Sequence, residues 1–349
     1  MSKIELEKKQ INELLNLASV RDVKEIWLEY PLLKTRLFKI SLENGSWSCE
    51  QIISREKYRQ RRQKHDFGDI KEREIPLFHD IIGALVAAGA FEPKEYGKEL
   101  KNALKTISGN PNSFSLAFDT NILYKRFISS TLHPLLQKNP HALKDAKWLL
   151  SNLVRKETNR KVGRKYRQEE IKAFKERVNC FGLLNNSPKL KSRRSKLAST
   201  ELNYLQNRLG IDLVGDKNWS DDKEDRDTLI IEEYHNPPSE RKPIFFTFDH
   251  DLKTKAENYG LITANLNTPR PKDLEIGQEK IHKLIRYLSQ LFGVIHLKGL
   301  DVDILGVWTG MEPNSYQNGK ITCLIDNNND LTNKLEKTAV LSNKLKSLM

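Results

Sequence analysis

The sequence predicts an α/β protein: a mostly parallel sheet flanked by helices, with an N-terminal mixed helical and hairpin region and a C-terminal α+β domain. Three observations carry that expectation. Phe114-Ser115-Leu116-Ala117-Phe118 is a short apolar run bounded by polar turn residues, the pattern of a strand covered on both faces, and it runs straight into Asp119. Pro243-Ile244-Phe245-Phe246-Thr247-Phe248 repeats the design and delivers Asp249-His250-Asp251. From Phe114 onward short apolar stretches alternate with longer helical ones, which argues for βαβ units. The expected division is 1–112 for the N-terminal region, 113–266 for the α/β domain with a basic insertion at about 158–210, and 267–349 for the C-terminal domain.

Taken in order, Ile4 to about Val20 reads as a polar helix. Arg36 to Leu42 and Trp47 to Ile53 read as a hairpin, because Asn44-Gly45 supplies the positive φ angles of a tight turn. Arg55, Lys57, Arg59, Arg61, Arg62 and Lys64 surround Tyr58, either a track for a phosphate backbone or a solvated helix face. Pro76 to Ala90 predicts a buried helix, and Lys94 to Ile107 an amphipathic one ended by Gly109-Asn110-Pro111. Beyond Asp119 a helix is expected through Tyr124 to Leu136, then a strand from Lys147 to Leu150 with Ser151 or Asn152 as the cap of a further helix. On that helix Glu157 continues the apolar stripe of Leu153 and Val154, unless it turns outward to pair with Arg160 or Lys161. Ile211 to Val214 is a short strand, and the acids from Asp221 to Asp227 suit a helix N-terminus. Leu252 to Tyr259 and Leu261 to Thr263 complete the domain, and Asn265 to Lys272 reads as a linker. The remainder predicts a helix from Gln278 to Phe292, strands at Val294 to Leu297, Val302 to Trp308 and Lys320 to Ile325 with a turn at Asn318-Gly319, and a helix from Leu331.

Fifty-nine Lys and Arg against 46 acids leave a net charge of +13, which favours an anionic partner. Position says more than the total. Between Arg155 and Arg208, 16 Lys and Arg face 5 acids, so +11 of the +13 lies in one stretch. Arg155, Lys156, Arg160, Lys161, Arg164, Lys165 and Arg167 recur about once per helical turn and predict a basic helix edge interrupted by Tyr166. Asn185 to Ser199, carrying Arg193 and Arg194, reads as a loop that closes over a strand or as an ordinary insertion. Cys49, Cys180 and Cys323 form no C-x-x-C pair, which speaks against a disulfide framework or structural zinc. The charged start lacks a leader pattern, and the apolar run from Ile81 to Phe91 is too short to span a membrane, so a cytoplasmic protein without membrane contact is expected.

Open α/β sheets bind ligands at the carboxyl ends of their strands. If the strands ending in Asp119 and Asp249 are parallel members of one sheet, both carboxylates face one crevice. Like charges there raise one another's pKa unless a cation neutralises them, and Mg2+ is the natural hard cation. Carboxylates pointing into separate regions, or a lysine amine lodged between Asp119 and Asp249, would count against this. Asp249-His250-Asp251 alone also suits the Asp-x-Asp of a glycosyltransferase, which leaves Asp119 and the basic stretch unexplained.

The order of these signals resembles the PIN-domain family of metal-dependent ribonucleases over about residues 114–265. The family's opening Asp-Thr-Asn is matched by Asp119, Thr120 and Asn121, and its Val-x-x-Glu by Val154 and Glu157. Its Asp-x-x-Ile is matched by Asp227 and Ile230, with Asp225 competing, and its Thr-x-Asp-x-Asp followed by Ala and Gly by Thr247, Asp249, Asp251, Ala256 and Gly260. The resemblance implies endonucleolytic hydrolysis of phosphodiesters, in RNA rather than DNA. It implies Asp119, Glu157, Asp227 and Asp249 as catalytic acids that hold Mg2+ or Mn2+, with Asp251 as a further ligand and Thr120, Asn121 and Thr247 in support. Arg155, Lys156, Arg160, Lys161, Arg164, Lys165, Arg167, Arg193 and Arg194 are then expected to hold the nucleic acid, and a homodimer is the implied assembly. A non-catalytic RNA-binding protein and a structure-specific DNA nuclease on the same fold stand as alternatives.

Overall fold

Strand-forming stretches separate into two sheets of opposite character in the computed structural model, which describes residues 2–6, 10–183, 187–237, 240–271, 274–306, 321–325 and 330–337. Two compact units result, one of Met1–Ala90, Gly163–Arg193 and Pro271–Met349, the other of Phe91–Val162 and Arg194–Arg270. This differs from the three consecutive domains that the sequence suggests. Strands from both ends of the chain share one antiparallel sheet, so the first and last regions fold as a single body. Residues after Phe91 go with the parallel sheet because Glu99 accepts from the Asn265 backbone N–H and pairs with Lys253. Most of the expected insertion, Gly163–Arg193, belongs to the antiparallel unit.

The antiparallel unit holds β1 (Ser2–Leu6), α1 (Ile11–Val20), β2 (Glu25–Tyr30), β3 (Thr35–Glu43), β4 (Ser46–Ile52), α2 (Arg55–Lys64) and α3 (Phe78–Ala88). Its later parts are α9 (Gln168–Arg177), β10 (Ile276–Gly277), α13 (Gln278–Phe292), β11 (Val294–Lys298), β12 (Val302–Leu305) and β13 (Ile321–Ile325). The strand order is β1-β13-β12-β11-β2-β3-β4-β10. Asn44 and Gly45 turn the β3–β4 hairpin at φ 50° and 77°, as that dipeptide allows. α13 lays Ile281, Leu284, Ile285, Leu288 and Phe292 inward, and α3 packs against it. The expected helix from Ile4 begins instead at Ile11: Ile4 and Leu6 are buried while Lys3 and Glu5 face out, a period of two that pairs with Ile321–Ile325. The strand expected at Val302 to Trp308 runs to Leu305, and Trp308 and the Asn318-Gly319 turn lie outside the described residues. A helix occupies 330–337.

The second unit is the parallel one. Its strands are β5 (Phe114–Phe118), β6 (Lys147–Ser151), β7 (Ile211–Val214), β8 (Lys242–Thr247) and β9 (Ile262–Asn265), in the order β7-β6-β5-β8-β9 and all parallel. β5 is central, so Leu116, Ala117 and Phe118 are fully buried, and Phe118 stacks between Trp148 and Phe246 at 5.9 and 5.7 Å. Helices α4 (Lys98–Gly109), α5 (Thr120–Tyr124), α6 (His133–Gln137), α7 (Pro140–Lys144), α8 (Asn152–Arg160), α11 (Lys223–His235) and α12 (His250–Asn258) belong to it. α10 (Leu190–Tyr204) carries the chain across the boundary between the units. Among the described residues no helix is long and apolar enough to cross a membrane.

Three expectations about this region change. The helix through Tyr124 to Leu136 is broken after α5, where Arg126 takes φ 53° and its guanidinium pairs with buried Glu201 at 3.2 Å, before a π-turn at Ile128–Leu132. The basic helix stops at Arg160, because Lys161 to Gly163 turn and Lys165 bridges Pro188 in the antiparallel unit. The loop expected at Asn185 to Ser199 is largely α10.

Ser151 caps α8 as its sequence position suggests, accepting from the Leu153 and Val154 N–H groups while its hydroxyl donates to buried Glu233 at 2.5 Å. Ser151→Ala removes the cap and leaves Glu233 short of a donor. It should destabilise the parallel-sheet unit by about 2 kcal/mol, read as an earlier urea transition in the full chain.

Candidate carboxylate site

Asp119 follows β5 directly, and its N–H continues the ladder by donating to Phe246 O at 3.1 Å. Its side chain is 4% exposed. The Oδ2 atom accepts from Thr247 Oγ1 at 3.0 Å and from Asn121 Nδ2 at 3.0 Å. Thr247 ends β8, and its hydroxyl oxygen in turn accepts the Asp249 N–H at 2.9 Å. One hydroxyl thus ties the two strand ends together, and Asp119 and Asp249 stand at the same edge. Asp249 Oδ1 caps α12 by accepting from the Asp251 and Leu252 N–H groups.

Glu157 arrives on α8. It lies on the face of Leu153, Val154 and Thr158, where Thr120 Oγ1 donates to Oε2 at 2.7 Å and the Arg226 guanidinium stands 3.5 Å from Oε1. The outward pairing with Arg160 or Lys161 is therefore not adopted: Arg160 pairs with Asp221 at 2.5 Å and stacks over Trp219. Asp227 projects from the first half of α11 and is half-buried, whereas Asp225 is exposed and donates its backbone N–H to the Asp222 cap. The Lys223 ammonium lies 3.9 Å from Asp227 and 3.6 Å from Asp249. It bridges those two acids rather than Asp119 and Asp249. Asp251 is exposed, and among the described residues no hydrogen bond or ion pair joins its carboxylate to the other four acids.

Electrostatics follow from burial. Asp119 is pushed up to about 6 by loss of solvent, with the Glu157 charge adding to the rise and the Thr247 and Asn121 hydrogen bonds opposing it. Burial also raises Asp227, against the pull of Lys223 and Arg226. The donor set, carboxylates with neighbouring hydroxyl and amide groups, suits a hard divalent cation. Yet among the described residues no three His, Cys, Asp or Glu side chains converge in a metal-holding group. Side-chain cations stand there: Arg226 on Glu157, and Lys223 on Asp227 and Asp249.

The nominated basic residues are divided between the two units. Arg155 and Lys156 are exposed on α8, and Arg160 and Lys161 end it, in the unit of the acids. Arg164, Lys165 and Arg167 belong to the other unit. Arg193 is 4% exposed there, its guanidinium 3.4 Å from the Tyr166 hydroxyl, so it is an interior residue and not a nucleic-acid contact. Arg194 is half-buried. Sequence reasoning missed Lys223, Arg226, Tyr234 and Lys125. The first was visible as the residue four before Asp227 on a helix. Tyr234 gives no such signal: its hydroxyl donates to Phe118 O and accepts from Ser151 N, filling the gap where β5 and β6 part. No family model, curated protein or solved structure matches the chain.

The folded state holds the Asp119 proton more tightly than an unfolded chain does. Its contribution to stability is therefore present below the ordinary aspartate range and lost as pH rises through about 6. Asp119→Asn should raise the stability of metal-free protein at about pH 7.5 by about 1–3 kcal/mol, with the gap closing towards about pH 4. Thermal unfolding in chelator at the two pH values reads the effect.

Proposed function

We propose that the chain is a metal-dependent endonuclease of the PIN-domain type, hydrolysing phosphodiester bonds in RNA in preference to DNA. The observation that carries this reading is a buried carboxylate with a raised pKa, Asp119, tied through the Thr247 hydroxyl to the strand end that bears Asp249, with Glu157 and Asp227 presented at the same edge by α8 and α11. Structural ion pairs rarely need a carboxylate kept out of water at a strand end, whereas perturbed acids in a sheet crevice are common in functional sites.

In this reading Asp119, Glu157, Asp227 and Asp249 would hold Mg2+ or Mn2+, and the exposed Lys223 amine, now paired with Asp227 and Asp249, would be the counter-ion given up. The bound ion would supply Lewis acidity to a phosphoryl oxygen and lower the pKa of an attacking water. The chain's own groups do the positioning. Thr247 and Asn121 fix the Asp119 carboxylate, and Thr120 fixes Glu157, so that little reorganisation is left for the reaction. Arg155, Lys156, Arg160 and Lys161 add a positive margin in the same unit, drawing a polyanion towards the acids. The homodimer implied by the resemblance belongs with this reading.

A second reading has its own support. Asp249 caps α12, and Glu157, Asp227 and Asp249 already have side-chain cations, so the acids serve a non-catalytic nucleic-acid-binding protein equally well as structural groups. End-labelled single-stranded RNA with Mn2+ separates the two. Asp119→Asn and Asp249→Asn should each cut cleavage by at least about 100-fold with the circular dichroism spectrum unchanged. A wild-type chain that leaves RNA and flap DNA intact in Mn2+ and Mg2+ rejects the nuclease, and cleavage of the flap alone moves the substrate to DNA. Lys223→Met should tighten Mn2+ binding by about 3- to 10-fold, since the metal no longer competes with an ammonium; weaker or unchanged binding in a titration counts against displacement.

A further inference from the structure

Lys125 closes the C-terminal end of α5, six positions beyond Asp119. Its ammonium sits 3.6 Å from the centroid of the Phe248 ring and donates to Thr268 Oγ1 at 3.4 Å. The ring is itself fixed, edge-on to Phe127 at 5.7 Å and to Tyr96 at 6.3 Å, and Phe248 lies between Thr247 and Asp249 in the chain. Lys223 and Lys253 at the same edge each stand within 4 Å of two carboxylates. Lys125, among the described residues, has an aromatic face and a hydroxyl and no carboxylate partner. Burial lowers the amine to about 8, the Asp119 charge pulling the other way.

A partly desolvated ammonium, as on half-buried Lys125, is costly unless something balances it. The aromatic face supplies part of that balance, and the hydroxyl supplies a neutral acceptor. Neither supplies a negative charge. At the same edge, acidic side chains repel any anionic substrate, so a phosphodiester needs fixed positive charge beside Asp119 that the acids do not already consume. We infer that Lys125 is the group that anchors a non-bridging oxygen of the substrate phosphodiester. The inference rests on the nuclease reading for its substrate, and it deepens that reading by naming the phosphate contact. Lysine suits the role as a compact point charge. Its place at the end of α5 lets the helix that begins at Asp119 set the spacing between acid and ammonium.

Reductive labelling with pyridoxal 5′-phosphate tests the contact without relying on cleavage. The neutral amine condenses with the aldehyde, releasing water, and borohydride reduces the imine to a stable secondary amine that peptide mass mapping locates. In chelator at about pH 8, Lys125 should label ahead of the exposed lysines, and the dinucleoside monophosphate UpU should protect it. Labelling that UpU leaves unchanged overturns the inference, whether or not the chain cuts RNA. If it does cut, Lys125→Met should lower kcat/KM by about 100-fold while Mn2+ affinity and Tm hold, and Lys125→Arg should restore part of the loss. Wild-type cleavage with unaltered kinetics in Lys125→Met overturns the anchor and leaves the nuclease reading standing. A chain inactive on every nucleic acid, with Lys125 still protected by UpU, upholds the anchor and removes the nuclease.

Discussion

A carboxylate held out of water at the end of a central strand is the constraint around which the parallel-sheet unit is arranged. β5 is covered on both faces and on both edges, so whatever follows Phe118 emerges at the carboxyl edge between β6 and β8. An apolar residue there would pack. Asp119 instead takes two side-chain hydrogen bonds on one oxygen and a neighbouring acid across the gap. The price is a raised pKa, and burial is its largest cause. The strand therefore fixes both the position of the carboxylate and its reluctance to ionise.

The other acids are less costly because each has a cation within reach. Arg226 and Lys223 are one helical turn apart on α11, and between them they touch Glu157, Asp227 and Asp249. Their exposures differ in a way that matters. Arg226 is 12% exposed and also bonds the Ser220 and Asp222 carbonyls, so moving it disturbs the loop before α11. Lys223 is 69% exposed, and among the described residues its ammonium has only the Asp227 and Asp249 carboxylates. A divalent cation entering this edge would meet a replaceable ammonium on Asp227 and Asp249 and a fixed guanidinium on Glu157. Exposed ion pairs contribute little to stability, so exchanging the first costs the fold little.

Much of this unit is legible in the sequence because its three inner strands, β6, β5 and β8, are buried on both faces and so announce themselves as apolar runs. Both runs end in acids, and the structure makes them parallel neighbours paired Phe118 to Phe246. The Ser151 cap and the Asn44-Gly45 turn are equally local signals and hold as read. What the sequence conceals is long-range. β1 has five residues whose pairing partner lies more than three hundred positions away, and a five-residue alternation beside a helix is easily absorbed into it. The same is true of the two-unit grouping, which depends on strands from opposite ends of the chain meeting. The basic stretch misleads for a different reason. Charges at every fourth residue fit a helix, but Gly163 breaks the run, and the Tyr166 hydroxyl is spent on buried contacts, donating to Glu74 and accepting from Arg193.

α11 carries both the cations that meet the acids and the groups that anchor the sheet, on one face. Lys223, Arg226, Asp227, Ile230, Glu233 and Tyr234 recur at helical spacing, and the stripe changes character along its length. At the N-terminal end it is charged and meets the acids; at the C-terminal end it is buried and anchors the sheet. Tyr234 bridges Phe118 and Ser151, and Glu233 takes the Ser151 hydroxyl and the Lys217 N–H. The residues flanking Asp119 and the cap of the Glu157 helix are thus held by the helix that presents Asp227. Three of the four acids are referenced to one rigid element, and the fourth, Asp249, is linked to Asp119 through the Thr247 hydroxyl. With the backbone positions fixed in this way, the freedom left to the four carboxylates is side-chain rotation, the least costly motion available to them.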